Sequence, residues 1–163
     1  MKSIKVINSD DIIIVDDEDY DRVISICDRW YVGFNRYKKP TGISGRNNIT
    51  KEKVNLSTIV FGCKRMMQDL DHIDRNIFNN QKSNLRECSH SQNCRNTIKK
   101  ENKTGYRGVY KRVGRYGYAS RIRINRRTRL SLGIFDTAKD AAVAYNKAAI
   151  EYHGEFAVLN IIP

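Results

Sequence analysis

The chain is short and strongly basic: its 163 residues include 30 lysines and arginines against 18 aspartates and glutamates, with a net charge of +12 and a pI of about 9.7. This length has room for one domain or two small ones, and the charge indicates an anionic partner such as nucleic acid. The absence of a signal peptide and of any long apolar run excludes membrane-spanning classes and predicts a cytoplasmic protein with reduced thiols.

The excess charge is concentrated in one stretch. Residues 95–131 contain 13 basic side chains and one acidic one, whereas residues 1–94 contain 15 and 13, and residues 132–163 contain two and four. A partner that carries negative charge is therefore expected to contact the stretch 95–131. The four cysteines show no CxxC pairing, which argues against a structural zinc site.

The first 60 residues predict a small β-rich segment with one helix. KSIKVI and DIIIVD favour the two strands of a hairpin, DDEDYDRVISICDRW favours a helix with an acidic first turn, and RWYVGFNRY favours a further strand. The acidic cluster DDEDYD lacks the spacing and the glycine of a calcium loop, so a helix-dipole role is favoured.

Residues 71–96 have a pattern suited to cutting a phosphodiester. His72 is the histidine that follows a carboxylate, Asp71, and an imidazole accepts protons near neutral pH. Asp71 and Asn93 offer oxygen ligands, which suit Mg²⁺ or Mn²⁺ rather than zinc. MQDLDHID and SNLREC predict two strands around an asparagine-rich turn, and the capping-box pattern from Ser89 to Gln92 predicts a helix that continues to about Lys99. In such a ββα unit His72, Asn84 and Asn93 converge.

These residues resemble the HNH nuclease motif, in the variant of phage and intron-encoded homing endonucleases that ends in asparagine. The resemblance implies that His72 is the general base, that Asn84 orients it, and that Asp71 and Asn93 hold one divalent metal ion, Mg²⁺ or Mn²⁺. It also implies that Asn76, Asn79, Asn80 and Arg86 line the minor-groove side of the cut strand or hold the turn. VNLSTIVFG resembles the helix that precedes the hairpin in these nucleases. Ser57 stands where that helix commonly carries a histidine, which implies reduced activity.

Residues 105–160 predict a three-stranded antiparallel sheet covered by one helix. YRGVYKR, YGYASRIRI and RTRLSLGIF alternate so that arginines share one face and apolar residues the other. DTAKDAAVAYNKAAIEYHG has a capped start, a terminal glycine and apolar residues at helical spacing. The predicted inward positions of this helix are Ala138, Ala141, Tyr145, Ala148 and Tyr152.

This region resembles the APETALA/ethylene-response-factor DNA-binding domain through YRGVYKR, YASRIR, LGIFDTAKDAAVAYNKAA and HGEFAVLN. In that family the sheet lies in the major groove of double-stranded DNA. The implied DNA-binding positions are Arg107, Tyr110, Arg112, Arg121, Arg123 and Arg129. Tyr110 replaces an arginine of the plant domains, Arg121 a glutamate and Ser131 a tryptophan, so the plant recognition sequence is not implied.

The predicted fold class is α+β, with an HNH nuclease domain at 1–98 (ββα core about 66–98), a basic linker at 99–104 and an APETALA/ethylene-response-factor-like domain at 105–163. We expect a metal-dependent, site-directed DNA endonuclease of a bacterial or phage-infected cell, associated with the nucleoid. One alternative is a sequence-specific DNA-binding regulator with a decayed nuclease module. Another is an RNA-binding protein, because Tyr106, Tyr110, Tyr116 and Tyr118 could stack on unpaired bases. The sequence leaves the oligomeric state open.

Overall fold

The computed structural model describes residues 1–62, 69–96 and 103–163, and these residues form an α+β structure, as predicted. By its internal contacts the chain divides into two units, Met1–Cys88 and Ser89–Pro163. Most of the predicted linker 99–104 lies outside the described residues, as do the first residues of the predicted core 66–98.

Within the described residues, the first unit contains three small antiparallel sheets and two α-helices. The strands are β1 (Lys2–Lys5), β2 (Ile12–Val15), β3 (Trp30–Phe34), β4 (Pro40–Arg46), β5 (Lys53–Asn55), β6 (Asp69–His72) and β7 (Leu85–Cys88). The helices are α1 (Asp17–Ile26) and α2 (Leu56–Phe61). β1 pairs with β2, and β6 pairs with β7. The three strands that lie between these hairpins in the sequence form a sheet of order β3-β4-β5.

Both predicted hairpins, both helices and the strand β3 are confirmed, whereas β4 and β5 are elements that the sequence does not predict. β4 contains Pro40, Gly42 and Gly45, which are residues typical of turns, and β5 has three residues. Gly45 is buried, and a side chain there would overlap Cys27 Sγ and lie 2.6 Å from the carbonyl oxygen of Arg29. The glycine therefore lets β4 pack closely on the core.

The core of the first unit is formed by apolar side chains from every part of it. Val15, Val23, Trp30 and Leu56 are fully buried, and Leu85 at the start of β7 belongs to the same cluster. Burial of side chains of this size contributes about 1.5–3 kcal/mol each. The β6–β7 hairpin is thus anchored in the same core as the helices.

The long turn between β6 and β7 is docked on β2 through the main chain. The Ile14 amide donates to the Phe78 carbonyl and the Asn80 amide donates to the Ile14 carbonyl, both at 2.8 Å. Asp16, which precedes α1, makes no side-chain cap bond to that helix. Its carboxylate instead accepts hydrogen bonds from Gln81 Nε2 at 3.0 Å and from the Lys82 amide at 2.8 Å.

Within the described residues, the second unit contains one three-stranded antiparallel sheet and two α-helices. The elements are α3 (His90–Arg95), β8 (Val109–Lys111), β9 (Tyr118–Arg123), β10 (Arg129–Phe135) and α4 (Ala138–His153). The sheet order is β10-β9-β8, and the predicted capping box at Ser89 is present. Residues 97–99 of the helix predicted to start at Ser89 lie outside the described residues. No described helix is long and apolar enough to cross a membrane.

Helix α4 packs on the apolar face of the sheet, as predicted. Its buried positions are Ala141, Ala142, Tyr145, Ala148 and Ala149. The prediction for Tyr152 was wrong: it lies in the last turn of α4, is 39% exposed, and its hydroxyl is hydrogen-bonded to Glu151. Small side chains allow the helix to approach the sheet closely.

Gly108, just before β8, is packed between Tyr145 of α4 and the backbone of β9. Its φ of +76° is in the left-handed region that favours glycine, and its carbonyl accepts a 2.9 Å hydrogen bond from the Arg121 amide. A Cβ here would overlap the Tyr145 ring and lie 2.7 Å from the Arg121 carbonyl oxygen. Both the backbone angle and the lack of space therefore require glycine.

We expect Gly108→Ala to destabilise the second unit by more than the roughly 1–2 kcal/mol cost of a left-handed alanine, because the methyl group must also displace the Tyr145 ring. Gly105→Ala is the matched control, since Gly105 has φ +73° and no atom within 4 Å of a Cβ. Thermal unfolding followed by circular dichroism measures both variants. Equal losses of Tm would contradict the packing argument.

The Asp16 contact predicts a pH-dependent stability. The hydrogen bonds from Gln81 and Lys82 hold the pKa of Asp16 below its usual 3.8. A depressed folded-state pKa stabilises the protein above the unfolded pKa, and this contribution is lost as pH falls below about 4. Asp16→Asn should lower the free energy of unfolding near neutral pH by about 1–2 kcal/mol, and its deficit against the unmodified chain should shrink in acid.

Denaturant titrations across the acidic range measure this difference. Asp17→Asn is the control, because Asp17 is exposed and pairs with the amino terminus rather than with the turn. A deficit that stays constant down to the lowest pH would assign the effect of Asp16→Asn to something other than its charge.

Candidate active site and nucleic-acid interface

The β6–β7 hairpin brings the predicted base to the edge of the asparagine-rich turn. His72 is the last residue of β6 and is the register partner of Leu85, and Asp71 is the partner of Arg86. Asp71 is buried and His72 is half-buried. The backbone hydrogen bond from the Ile73 amide to the Asn84 carbonyl, 2.9 Å long, closes the turn directly after His72.

The His72 ring is oriented by a buried asparagine. Its Nε2 lies 3.2 Å from Asn80 Oδ1, and Asn80 Nδ2 donates to the Ile77 carbonyl at 2.8 Å. That second bond sets the orientation of the amide, so Oδ1 can only accept and His72 Nε2 must carry the proton. Nδ1 is then the basic nitrogen. Burial lowers the pKa of His72 below 6.5, against the opposing effects of Asn80, Asp74 and Asp71, so the neutral form prevails near pH 7.

Asn84, predicted to orient the base, binds the turn instead of the ring. Its Oδ1 accepts from the Asp74 amide at 3.0 Å, and its Nδ2 donates to Asp74 Oδ1 at 2.9 Å and to the Asn79 carbonyl at 2.8 Å. Asn84 thus acts on His72 through the backbone, while the direct contact is made by Asn80. The pair Asn79-Asn80 was the available signal, because a fully buried asparagine needs specific partners.

Asp74 is the acceptor around which the turn is built. Burial tends to raise its pKa, but hydrogen bonds from the Asn76 amide, Asn79 and Asn84 outweigh that effect and hold the pKa below 3.8. Asn76 and Asn79 therefore have structural contacts here: the Asn76 amide donates to Asp74 Oδ1 at 2.8 Å and Asn79 Nδ2 donates to Oδ2 at 2.9 Å.

Asp71 is held by Arg86 across the hairpin. Arg86 Nε and Nη2 donate to Asp71 Oδ2 at 3.0 and 2.8 Å, and both side chains are largely shielded from solvent. Arg86 was predicted to contact DNA, and the structure places its guanidinium on the predicted metal ligand. Its contact with DNA stays a prediction.

The carboxylate of Asp71 is the kind of oxygen ligand that suits Mg²⁺ or Mn²⁺, and the metal ion itself stays a prediction. Asp71 offers a buried carboxylate, and the described residues contain no group of three or more His, Cys, Asp or Glu side chains able to hold a metal. Mg²⁺ is commonly bound through one or two carboxylates, with waters and substrate phosphates completing its shell. Asn93, the second predicted ligand, lies in α3 and so in the second unit. Its sharing of a metal with Asp71 stays a prediction.

The sheet β8-β9-β10 exposes one basic face, as predicted. Arg121, Arg123 and Arg129 are exposed, while the alternate residues of β9, Ser120 and Ile122, are buried. Tyr110 on β8 is the register partner of Ala119 and is 53% exposed. A β-bulge between Ser131 and Gly133 shifts the later part of β10 and ends the predicted simple alternation of that strand.

Two arginines stand directly opposite each other on this face. Arg123 and Arg129 are Cα partners in the β9–β10 ladder, and Arg121 faces Ser131 two residues away. Within the described residues no carboxylate forms an ion pair with Arg121, Arg123 or Arg129. Like charges at opposed positions destabilise a sheet. An anion bound between the two guanidinium groups would remove that repulsion.

Arg107 and Arg112, also predicted to bind DNA, have partners inside the second unit. Arg107 Nη2 donates to the Arg95 carbonyl at 2.9 Å, and its guanidinium is hydrogen-bonded to Tyr145. Arg112 Nη1 donates to the Tyr116 carbonyl at 3.1 Å. Both have structural contacts that the sequence did not predict, and their contact with DNA stays a prediction.

Comparison with known proteins supports one part of this arrangement. No protein-family model matches the chain, and no solved structure matches it significantly. The rice (Oryza sativa subsp. japonica) protein named dehydration-responsive element-binding protein 2E is 46% identical to the chain over 56 residues. The match covers 34% of this chain and 18% of the rice protein, so the chain spans less than a fifth of that relative. This similarity supports an APETALA/ethylene-response-factor-like domain, in agreement with a three-stranded sheet packed on α4.

Proposed function

We propose that the chain binds double-stranded DNA through the exposed face of β8, β9 and β10. The observation that carries this proposal is the opposed pair of Arg123 and Arg129, which has no acidic partner among the described residues. Guanidinium groups pair with phosphate oxygens and with guanine edges, and a two-stranded ribbon fits the major groove. Partial similarity to a plant protein named for binding a responsive element supports the same proposal.

Removal of the opposed pair tests the proposal. Arg123→Ala with Arg129→Ala should weaken duplex binding by about tenfold or more, because removing an arginine that pairs with a base or a phosphate costs roughly 1–3 kcal/mol. The dependence of affinity on salt should also become less steep, by about 0.9 in log–log slope for each phosphate that the variant no longer neutralises. Fluorescence anisotropy with duplexes from a selected library measures both quantities.

The matched control is Lys139→Ala with Lys147→Ala, which removes the same charge from α4 on the other side of the sheet. If the two double variants weaken binding equally, net charge rather than the arginine face accounts for the affinity. Tighter binding of single-stranded RNA than of duplex DNA would favour the RNA-binding alternative, in which exposed tyrosines such as Tyr110 and Tyr116 stack on bases.

We propose as a second function that the hairpin hydrolyses one DNA strand, with His72 as the general base. The supporting observations are the His72–Asn80 contact, which assigns the proton to Nε2, and the burial of His72, which lowers the pKa of its imidazole. Asp71 and Asn93 would hold one Mg²⁺ or Mn²⁺ ion, which when bound supplies neutralisation of charge at the leaving oxygen.

The residues of the chain then have separate tasks. His72 Nδ1 accepts a proton from water, whose oxygen bonds to phosphorus while the bond from phosphorus to the leaving sugar oxygen breaks. Asn80 keeps the ring in the competent tautomer, and the Asp74–Asn84 contacts hold the turn in which it lies. Arg86 holds the Asp71 carboxylate in place.

His72→Ala should lower plasmid nicking by about 10²- to 10⁴-fold, the usual contribution of a general base, with duplex affinity almost unchanged. A supercoiled-plasmid assay with magnesium, and then with a chelator, measures the cleavage. His90→Ala is the control, since His90 is exposed on α3. Nicking that survives in His72→Ala would remove His72 from the chemistry.

The alternative, a DNA-binding regulator with a decayed nuclease module, rests on Ser57. This residue is half-buried in α2, at the position where a histidine is implied by the resemblance. A chain that binds duplex DNA but does not nick it with magnesium would favour the regulator. A gain of nicking in Ser57→His would then assign the loss to this position.

A further inference from the structure

The outward face of the sheet β3-β4-β5 forms a second basic surface, separate from β8–β10. Ile43 and Gly45 of β4 point to the core, whereas Ser44 and Arg46 point outward. Tyr31 of β3 is the register partner of Ser44, and Lys53 of β5 is the partner of Arg46. The outward face therefore combines an aromatic ring with two cations.

The outward residues Tyr31, Ser44, Arg46 and Lys53 line a cavity of about 720 Å³. The side chains lining it that carry the following argument are Arg29, Tyr31, Arg46 and Lys53, and Asp28 adds a carboxylate. Arg46 and Lys53 are directly opposed like charges, and within the described residues neither they nor Arg29 form an ion pair. Opposed cations without an acidic partner destabilise the sheet unless an anion lies between them.

The rim of the cavity is built from a tightly bonded loop. Asn47 Oδ1 accepts hydrogen bonds from the Ile49 and Thr50 amides at 2.8 and 3.0 Å, and the Asn47 amide donates to the Glu52 carbonyl at 2.9 Å. Lys51 has φ +60°, an unfavourable angle for a residue with a side chain. Strained backbone of this kind is commonly kept at binding sites.

Tyr31 determines which anion fits. It is 40% exposed and lines the cavity, so one part of its side chain is open to a ligand. A basic groove with an aromatic platform is the usual arrangement for single-stranded nucleic acid, where phosphates pair with the cations and a base stacks on the ring. A duplex keeps its bases stacked in pairs and therefore offers no free base face to the Tyr31 ring.

We propose that this cavity binds an unpaired nucleotide of a DNA strand, with its phosphate on Arg46 and Lys53 and its base on Tyr31. The site lies wholly in the first unit and depends neither on cleavage at His72 nor on the β8–β10 face. It gives the chain a contact with single-stranded DNA in addition to the proposed duplex contact.

The full-length chain and three variants test the proposal with a labelled oligothymidine and a duplex of the same length. Arg46→Gln with Lys53→Gln, and separately Tyr31→Ala, should weaken oligothymidine binding by about fivefold or more, the usual effect of removing the stacking of one base or the pairing of its phosphate. Tyr31→Phe should bind as the unmodified chain does, because it keeps the ring. Duplex affinity should change no more than in the control.

The control is Lys5→Gln with Lys147→Gln, which removes the same charge from exposed positions that do not line the cavity. Circular dichroism confirms that each variant is folded. Oligothymidine binding that falls no further than in the control would overturn the proposal, and so would equal losses on oligothymidine and duplex. Tighter binding of thymidine monophosphate than of oligothymidine would also overturn it, in favour of a free-nucleotide site.

The duplex affinity of Arg123→Ala with Arg129→Ala tests only the proposal for the sheet β8-β9-β10. Failure of the cavity proposal and failure of the duplex-binding proposal are therefore separate outcomes.

Discussion

The docking of the β6–β7 turn onto β2 is the contact on which the arrangement of the first unit depends. Two backbone hydrogen bonds to Ile14 and two to the Asp16 carboxylate attach an asparagine-rich turn to β2, whose Ile13 and Val15 side chains lie in the core. Residues distant in sequence thereby position Asn80, and Asn80 positions His72. The turn also packs Ile77 and Phe78 against the core, so its order is derived from these polar contacts together with apolar burial.

The two ionisable groups at the end of β6, His72 and Asp71, have different polar partners and so lie in different surroundings. His72 meets an amide oxygen in a half-buried place, where burial favours its neutral form. Asp71, one residue earlier on the other face of the strand, meets the guanidinium of Arg86. Because side chains alternate along a strand, one dipeptide places an imidazole and a carboxylate in two different surroundings.

Much of this organisation was predictable because it follows local rules. Alternating arginines predicted the face of β9, the Ser89–Gln92 pattern predicted the start of α3, and alanine spacing predicted the packing of α4. Three contacts could be identified only from the folded structure. His72 contacts Asn80, whereas Asn84 binds the turn; Asp16 binds a turn distant in sequence, and Arg107 binds Arg95 and Tyr145. Each depends on contacts between segments that the linear sequence does not bring together, and β4 was missed because its glycines and proline resemble a turn.

The opposed Arg123 and Arg129 have a consequence for the free protein. A surface that places two like charges face to face is less stable empty than filled, so folding and ligand occupancy are thermodynamically linked. Any polyanion that screens the pair shifts the folding equilibrium toward the native state, whatever its sequence. If nucleic acid binds this face as proposed, the melting temperature of the chain rises with occupancy of the face, and a preparation that retains cellular nucleic acid melts at a higher temperature than one freed of it.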